Sequence, residues 1–214
     1  MIQVKSLSKY YGDVVGVEEV SFEIHSPGAT VIFGSSGSGK TTLLRLIAGL
    51  DAPDQGEIYL GGALASTKDF IIPAHARNVG FVFQAPALWP HMTVSANILF
   101  GLHALEKKEA QQRLEAVLGQ MGLEELARRF PDQISAGQAR RVALARALAP
   151  KPQFLFMDEP LTNIDAKSKE SLMKVIQDVG KDTKTFLLYV SHDEQEVRQI
   201  SERTIVIDGG RLRC

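Results

Sequence analysis

The stretch Gly34-Ser35-Ser36-Gly37-Ser38-Gly39-Lys40-Thr41 decides how the rest of this 214-residue sequence is read. A glycine is followed by four residues and then Gly-Lys-Thr, between an apolar run, Thr30 to Phe33, and a helix-prone one, Thr42 to Leu50. Glycines without a Cβ let successive backbone N–H groups curl around an anion. The helix that starts near Lys40 aims its positive dipole end at the same point. The stretch therefore reads as a phosphate cradle. Lys40 adds a cation for the outer phosphates, and the Thr41 hydroxyl, followed by Thr42, is placed to hold a Mg²⁺ ion that bridges them. The alternative is a Gly/Ser turn with a chance lysine. Average composition gives such a match in about one chain in a hundred of this length.

A strand, a glycine loop and a helix in that order predict a parallel sheet with ligand at the carboxyl ends of its strands. Val79 to Phe83, Phe154 to Met157 and Thr185 to Val190 read as further buried strands, and helices are expected near 166–179 and 193–200. Before the loop, residues 2–24 alternate weakly and suggest an antiparallel start, with Val14-Val15 and Val20 to Ile24 as strand candidates. Between Leu60 and Asn78 the sequence reads as an irregular polar stretch. From Ala85 the texture changes: Pro86 and Pro90 flank Trp89, and residues 94–149 read as helical. The expected fold is α/β, with a mixed-sheet core at 1–84 and 154–214 that includes an antiparallel β subdomain. Residues 85–153 form an inserted helical subdomain.

Composition narrows the function classes. A net charge of −1 gives no sign of a protein held to nucleic acid by phosphate neutralisation. No apolar run approaches the ~18 residues of a membrane span, and the N-terminus lacks the apolar core of a signal peptide. Any membrane role is expected to come through a partner. The only cysteine is Cys214, which excludes an internal disulfide and points to a reducing compartment.

Two further constellations carry chemistry. Phe154-Leu155-Phe156-Met157 leads straight into Asp158-Glu159. Asp158, ending the strand, is placed to bind the metal directly or through water, while Glu159 orients or deprotonates an attacking water. Neighbouring strand residues face opposite ways, so two acids can serve two roles. Ile134-Ser135-Ala136-Gly137-Gln138 precedes an apolar-periodic helix, and Ser135 with Gln138 fits a capping box. The same segment, with Gly137 and an exposed helix start, also makes a second anion site.

This set of motifs resembles the nucleotide-binding subunit of ATP-binding cassette (ABC) transporters over essentially the whole chain. Gly34 to Thr41 matches the phosphate loop of that family, Phe154 to Glu159 its acidic motif, and Ile134 to Gln138 its signature. Gln84 matches the glutamine linking the site to the membrane subunits, Asn163-Ile164-Asp165 the loop after the acids, and His192 the switch histidine. Tyr11, before Gly12, covers the core edge or stacks on a base; the resemblance favours adenine stacking. The resemblance implies ATP and Mg²⁺ as cofactors, with Thr41, Gln84 and Asp158 at the metal. It implies Glu159, His192 and Gln84 in catalysis, and a head-to-tail dimer in which Ser135 to Gln138 of one copy faces the phosphate loop of the other. Asp165 would tie the loops across that dimer.

The family's commonest signature has glycine where Ala136 stands. If a positive φ is needed there, alanine costs about 1 kcal/mol; if φ is negative, the methyl matters only for phosphate approach. Arg77 to Leu102 resembles prokaryotic importers of sugars, oxyanions, iron or polyamines. Partners implied are transmembrane permease subunits, with Trp89, Pro90 and Met92 either docking them or bracing the fold, and indirectly a solute-binding protein; nucleic acid is not implied. The implied location is peripheral, on the cytoplasmic face of a prokaryotic inner membrane. Importer subunits often carry a further domain, so a chain ending at Cys214 is expected to be a short member or a truncated one. Competing classes are an exporter ATPase, a soluble cassette ATPase acting on DNA or ribosomes, and a small-molecule kinase with the same loop.

Overall fold

The computed structural model describes residues 1–181 and 184–213; the sole cysteine, Cys214, lies outside the described residues. The chain opens with β1 (Ile2–Tyr11) and β2 (Val14–Ile24), joined by a tight turn in which Gly12 has φ +61°. Then come β3 (Gly28–Phe33), α1 (Lys40–Ala48), β4 (Gln55–Leu60) and β5 (Ala63–Ser66). The strands β2-β1-β4-β5 form an antiparallel sheet.

The stretch expected to be irregular after Leu60 contains β5 and a short 3-10 turn, Ala74–Ala76. Gly61 and Gly62, at φ +61° and +89°, supply the left-handed pair that folds the chain back as a hairpin. The weak alternation of residues 2–24 also has a structural cause. β1 and β2 shift register between Val4 and Leu7 and again near Lys9, and Ser6 and Glu19 take positive φ. Each shift breaks the two-residue period that a sequence pattern relies on.

The rest of the chain comprises β6 (Val79–Val82), α2 (Val94–Leu99), α3 (Lys107–Met121), α4 (Ala136–Leu148) and β7 (Phe154–Asp158). It closes with α5 (Ala166–Gly180), β8 (Phe186–Ser191), α6 (Glu194–Ile200), β9 (Arg203–Asp208) and β10 (Arg211–Arg213). The second sheet has the order β10-β9-β3-β8-β7-β6, parallel except for β10. Both faces of its middle strands are buried. Phe154 and Phe156 pack with Leu43, Leu46 and Ile47 of α1, between the two sheets, while Leu155 and Met157 pack against the helical side with Leu144 and Leu172. Double burial explains why these strands are continuously apolar rather than alternating.

At nine residues, α1 is too short to persist alone, and four fully buried Leu and Ile side chains, each contributing about 2 kcal/mol, hold it in place. Its carboxyl end is closed by Arg77, whose guanidinium donates to Leu46 O and Ile47 O and also to Ile72 O, Ala65 O and Ser66 Oγ. Burial pulls the Arg77 pKa down to about 10. Arg77→Met should therefore leave several buried carbonyls without donors and cost about 3 kcal/mol, read as a lowered urea midpoint at unchanged slope. A loss below ~0.5 kcal/mol would show that these carbonyls find other donors.

Because β3, β6, β7 and β8 run parallel, their carboxyl ends lie on one edge. Phe33 stands beside Ser191, Asp158 beside Val190, and Val82 beside Met157. Segments more than a hundred residues apart are delivered to one place by register alone. Among the described residues, no helix is long and apolar enough to cross a membrane.

Candidate functional site

The loop from Gly34 leaves β3 and enters α1 through Gly37 (φ +78°) and Gly39 (φ +101°). Gly39 is the N-cap of α1 and makes no side-chain cap, so the first-turn N–H groups are left for another acceptor. A Cβ on Gly39 would lie 2.2 Å from Gly16 O, so both its φ and its surroundings require glycine. Lys40, 4% exposed, donates from Nζ to Gly34 O (2.9 Å) and Ser35 O (2.7 Å), and lies 4.0 Å from Glu159 Oε1. Burial lowers its pKa, with Glu159 and Asp158 pulling the other way. The Ser38 hydroxyl is buried without a hydrogen-bond partner.

Across the loop, Thr41 Oγ1 donates to Asp158 Oδ1 at 2.9 Å. Burial raises the Asp158 pKa, opposed by the Thr41 hydrogen bond. The adjacent Glu159 leaves the strand with φ +44°, held by its N–H to Val190 O (3.1 Å) and by the Thr162 hydroxyl on its own carbonyl (3.0 Å). That strained backbone turns its carboxylate toward His192, whose Nδ1 lies 3.0 Å from Oε1. The two acids thus meet different partners, Asp158 the Thr41 hydroxyl and Glu159 the His192 ring.

Between these groups lies a pocket of about 350 Å³ walled by Tyr11, Val14, Val15 and Gly16 and floored by Ser36 to Thr42, with Gln84 and Glu159 at its far side. Tyr11 is 48% exposed and borders this pocket beside Gly16. A second space of about 500 Å³ shares Ser36, Gln84 and Glu159 with the first and reaches Asn163 and His192.

The signature segment is built elsewhere. Ser135 caps α4, accepting from Gln138 N (3.2 Å), while Gln138 Oε1 accepts from Ser135 N (2.8 Å). The capping box is thus formed, and Ala136 opens α4 without a positive φ, so alanine is unstrained there. Gly137 is constrained instead: a Cβ would lie 2.4 Å from Ser168 Oγ. Asp165 caps α5 by accepting from Ser168 N (2.9 Å), which brings the Asp165 loop beside the signature within one chain. Neither segment borders the phosphate-loop pocket.

Arg140 of α4 links the regions. Its Nη1 donates to Gln84 O (2.6 Å) and Pro160 O (3.0 Å), so one buried cation holds both the glutamine segment and the turn after the acids. Arg146, six residues further along α4, donates to Pro86 O and Ala87 O and lies over the Trp89 ring at 4.8 Å. Asn97 holds Trp89 through both backbone groups. Trp89 is therefore a brace, whatever else it contacts. Arg140 and Gly16 were not singled out from sequence, and the valine pair of the pocket wall was read only as a strand. The valines directly follow the Tyr11-Gly12 turn, and that adjacency was the available signal.

A glycine loop feeding a helix from a parallel strand, with an acidic strand end one strand away, defines a phosphate-loop nucleotide-binding fold. Within that class the chain belongs to the ABC transporter family, whose model matches residues 17–162. Over 99% of this chain it is 41% identical to a sulfate/thiosulfate import ATP-binding protein of Bradyrhizobium diazoefficiens, covering 62% of that protein. It is 38% identical to a trehalose/maltose import ATP-binding protein of Thermococcus litoralis, covering 58%. The xylose/arabinose import ATP-binding protein of Haloferax volcanii is 39% identical, with 55% covered. The chain thus spans about three-fifths of the length of these relatives. Among solved structures, it superposes with a TM-score of 0.88 and 30% identity on a dimeric post-hydrolysis ATP-binding cassette bound to ADP and Pi, covering 100% of this chain and 97% of that one.

Proposed function

We propose that this chain is the ATP-hydrolysing part of an ABC importer, acting as a head-to-tail dimer on the cytoplasmic face of a prokaryotic membrane. The observation that carries the reading is the convergence of Lys40, the Thr41–Asp158 pair and the Glu159–His192 pair on one open pocket, while the signature segment lies outside it. Such a site holds a nucleotide's phosphates on one side and needs a second surface on the other. Ser135 to Gln138 of a second copy supplies that surface, and the dimeric cassette neighbours support the arrangement. Residues 1–84 with 154–214 form the core, and 85–153 the helical subdomain that carries Ser135; α2, α3 and α4 lie in sequence between the adjacent strands β6 and β7.

The residues fit Mg²⁺. Among the described residues no cluster of three or more His, Cys, Asp or Glu side chains exists to cage a metal. A hydroxyl and one undersolvated carboxylate do fit an octahedral ion that takes its remaining ligands from phosphates and water. Bound there, Mg²⁺ would neutralise charge developing on the phosphate oxygens. Thr41, Asp158 and Gln84 would hold it. Lys40 exchanges its loop carbonyls for phosphate oxygens, Tyr11 stacks on the base, and Glu159 takes a proton from water while His192 fixes the carboxylate's direction. Asp165 lies at the dimer seam.

Relatives of 38% to 41% identity are named for sulfate, a disaccharide and pentoses, so this chain does not select the solute. Selection belongs to the permease and its solute-binding protein, with Trp89, Pro90 and Met92 at the permease contact. The test is reconstitution of the full-length subunit with its co-purifying membrane partner in vesicles. Solute accumulation that stops when ATP is withheld is the expected result; ATP-dependent efflux would replace import with export.

A further inference from the structure

Around His192 lies an ion-paired network of Lys169, Asp193 and Glu196, which with Ser191 borders the same space as Ser36, Gln84 and Glu159. Glu196, 4% exposed on the first turn of α6, accepts hydrogen bonds at Oε2 from the Tyr189 hydroxyl (2.9 Å) and the Ser191 hydroxyl (2.7 Å). Its other oxygen pairs with Lys169 Nζ at 2.7 Å. Lys169 also reaches Asp193 Oδ2 at 2.8 Å. Asp193 in turn caps α6, accepting from Gln195 N at 2.8 Å, and gives its own N–H to Ser191 Oγ at 3.0 Å.

The residues on either side of His192 are thus both fixed by one network, and the only cation in it comes from a different helix. That helix is α5, whose first turn runs from the Asp165 cap to Lys169 and packs through Ser168 against Gly137 of the signature. Among the described residues the imidazole makes one polar contact, to Glu159, and its side chain is 46% exposed. Its placement therefore depends on the turn that carries it rather than on packing around the ring. A loosened turn moves Nδ1 away from Oε1, and misplacement by about 1 Å is enough to cost a hundredfold in rate.

We propose that Lys169, paired with Glu196, is a positioning residue for His192 that sets the imidazole against Glu159 and ties that setting to the Asp165 end of α5. Lys169 and Asp193 are each about a third exposed but Glu196 is buried, so loss of Lys169 leaves the buried Glu196 carboxylate uncompensated and frees Asp193 to find other partners. The Asp193 carboxyl, held below its ordinary pKa by Lys169, is the group most directly released.

The inference rests on the hydrolytic reading above, and its test separates the two. In the full-length subunit assembled with its membrane partner, Lys169→Met should lower kcat at least tenfold with KM for ATP within about twofold of the parent. Lys169→Arg should retain at least a third of parental kcat. Glu196→Gln keeps an acceptor for Tyr189 and Ser191 but removes the charge facing Lys169, and should match Lys169→Met. Added to His192→Ala, Lys169→Met should cost nothing further, because both act through one group. Parental turnover in the same preparation reports on the hydrolytic reading by itself. Beside an active parent, a lowered melting temperature with unchanged kcat, or a loss that adds fully to that of His192→Ala, would overturn the positioning role. The imidazole ¹⁵N shifts of His192 give a readout without turnover: they should move in Lys169→Met and stay put in Lys174→Met, an exposed position on the same helix; shifts unmoved in both would overturn it too.

Discussion

Glu159→Gln in the assembled transporter should bind ATP within about threefold of the parent and hydrolyse it at under a hundredth of the parental rate. Glutamine keeps the length of the side chain and an atom at hydrogen-bond distance from His192 Nδ1, which now lies 3.0 Å from Oε1. The backbone contacts that hold the φ +44° turn, to Val190 O and from the Thr162 hydroxyl, involve no atom of the side chain. What disappears is the negative charge and with it the base; general-base groups are worth ~10² to 10⁴ in rate. The same charge lies 4.0 Å from Lys40 Nζ, so removing it leaves the lysine freer to serve phosphate, and binding does not suffer. Equilibrium nucleotide binding beside single-turnover hydrolysis checks both halves. A turnover near the parental rate would remove Glu159 from the chemistry, and a loss of binding would make its role one of shape.

Gly39→Ala should abolish measurable nucleotide binding, lowering affinity at least a hundredfold, and should also destabilise the fold. The substituted methyl meets Gly16 O at 2.2 Å, a backbone atom that cannot rotate away, and the φ of +101° is one that a residue with a Cβ rarely adopts. Relief requires the loop to separate from β2 or to flip its peptides, and either change points the first-turn N–H groups of α1 away from the pocket. Gly37→Ala is the contrast. It shares a positive φ but meets nothing within 4 Å, so it should cost backbone strain of about 1 kcal/mol and retain binding. Equal losses in the two variants would mean that φ alone, without the close approach, sets the loop.

The parts of the fold that were legible are those where one local pattern decides. Val31-Ile32 and Phe154 to Met157 are buried on both faces and so are apolar without interruption, which a sequence displays directly. β5, written Ala-Leu-Ala-Ser, lies at a sheet edge and carries little β-propensity, so only the Gly61-Gly62 pair announced it. In the site, Lys40, Thr41 and Asp158 stood out because their chemistry is tied to adjacent residues, and His192 only through the family resemblance. Arg140 and Lys169 did not, since each acts through carbonyls or carboxylates brought near only by packing, and an arginine or lysine on a helix gives no local sign of its tertiary partner. The Ala136 question turned on backbone geometry, and its place as the first residue of α4 answered it.

The strand order has a consequence for how the protein comes into being. β3, which leads into the phosphate loop, pairs with β8 and β9 and with no strand earlier in the chain. During synthesis those partners leave the ribosome long after β3 does, and β8 must slot between β3 and β7. Until then the loop has no wall opposite it: Glu159 and His192 sit at the ends of strands not yet in register. The groups of residues 11–42 that border the pocket thus gain Glu159 and His192 beside them only when β7 and β8 have joined the sheet.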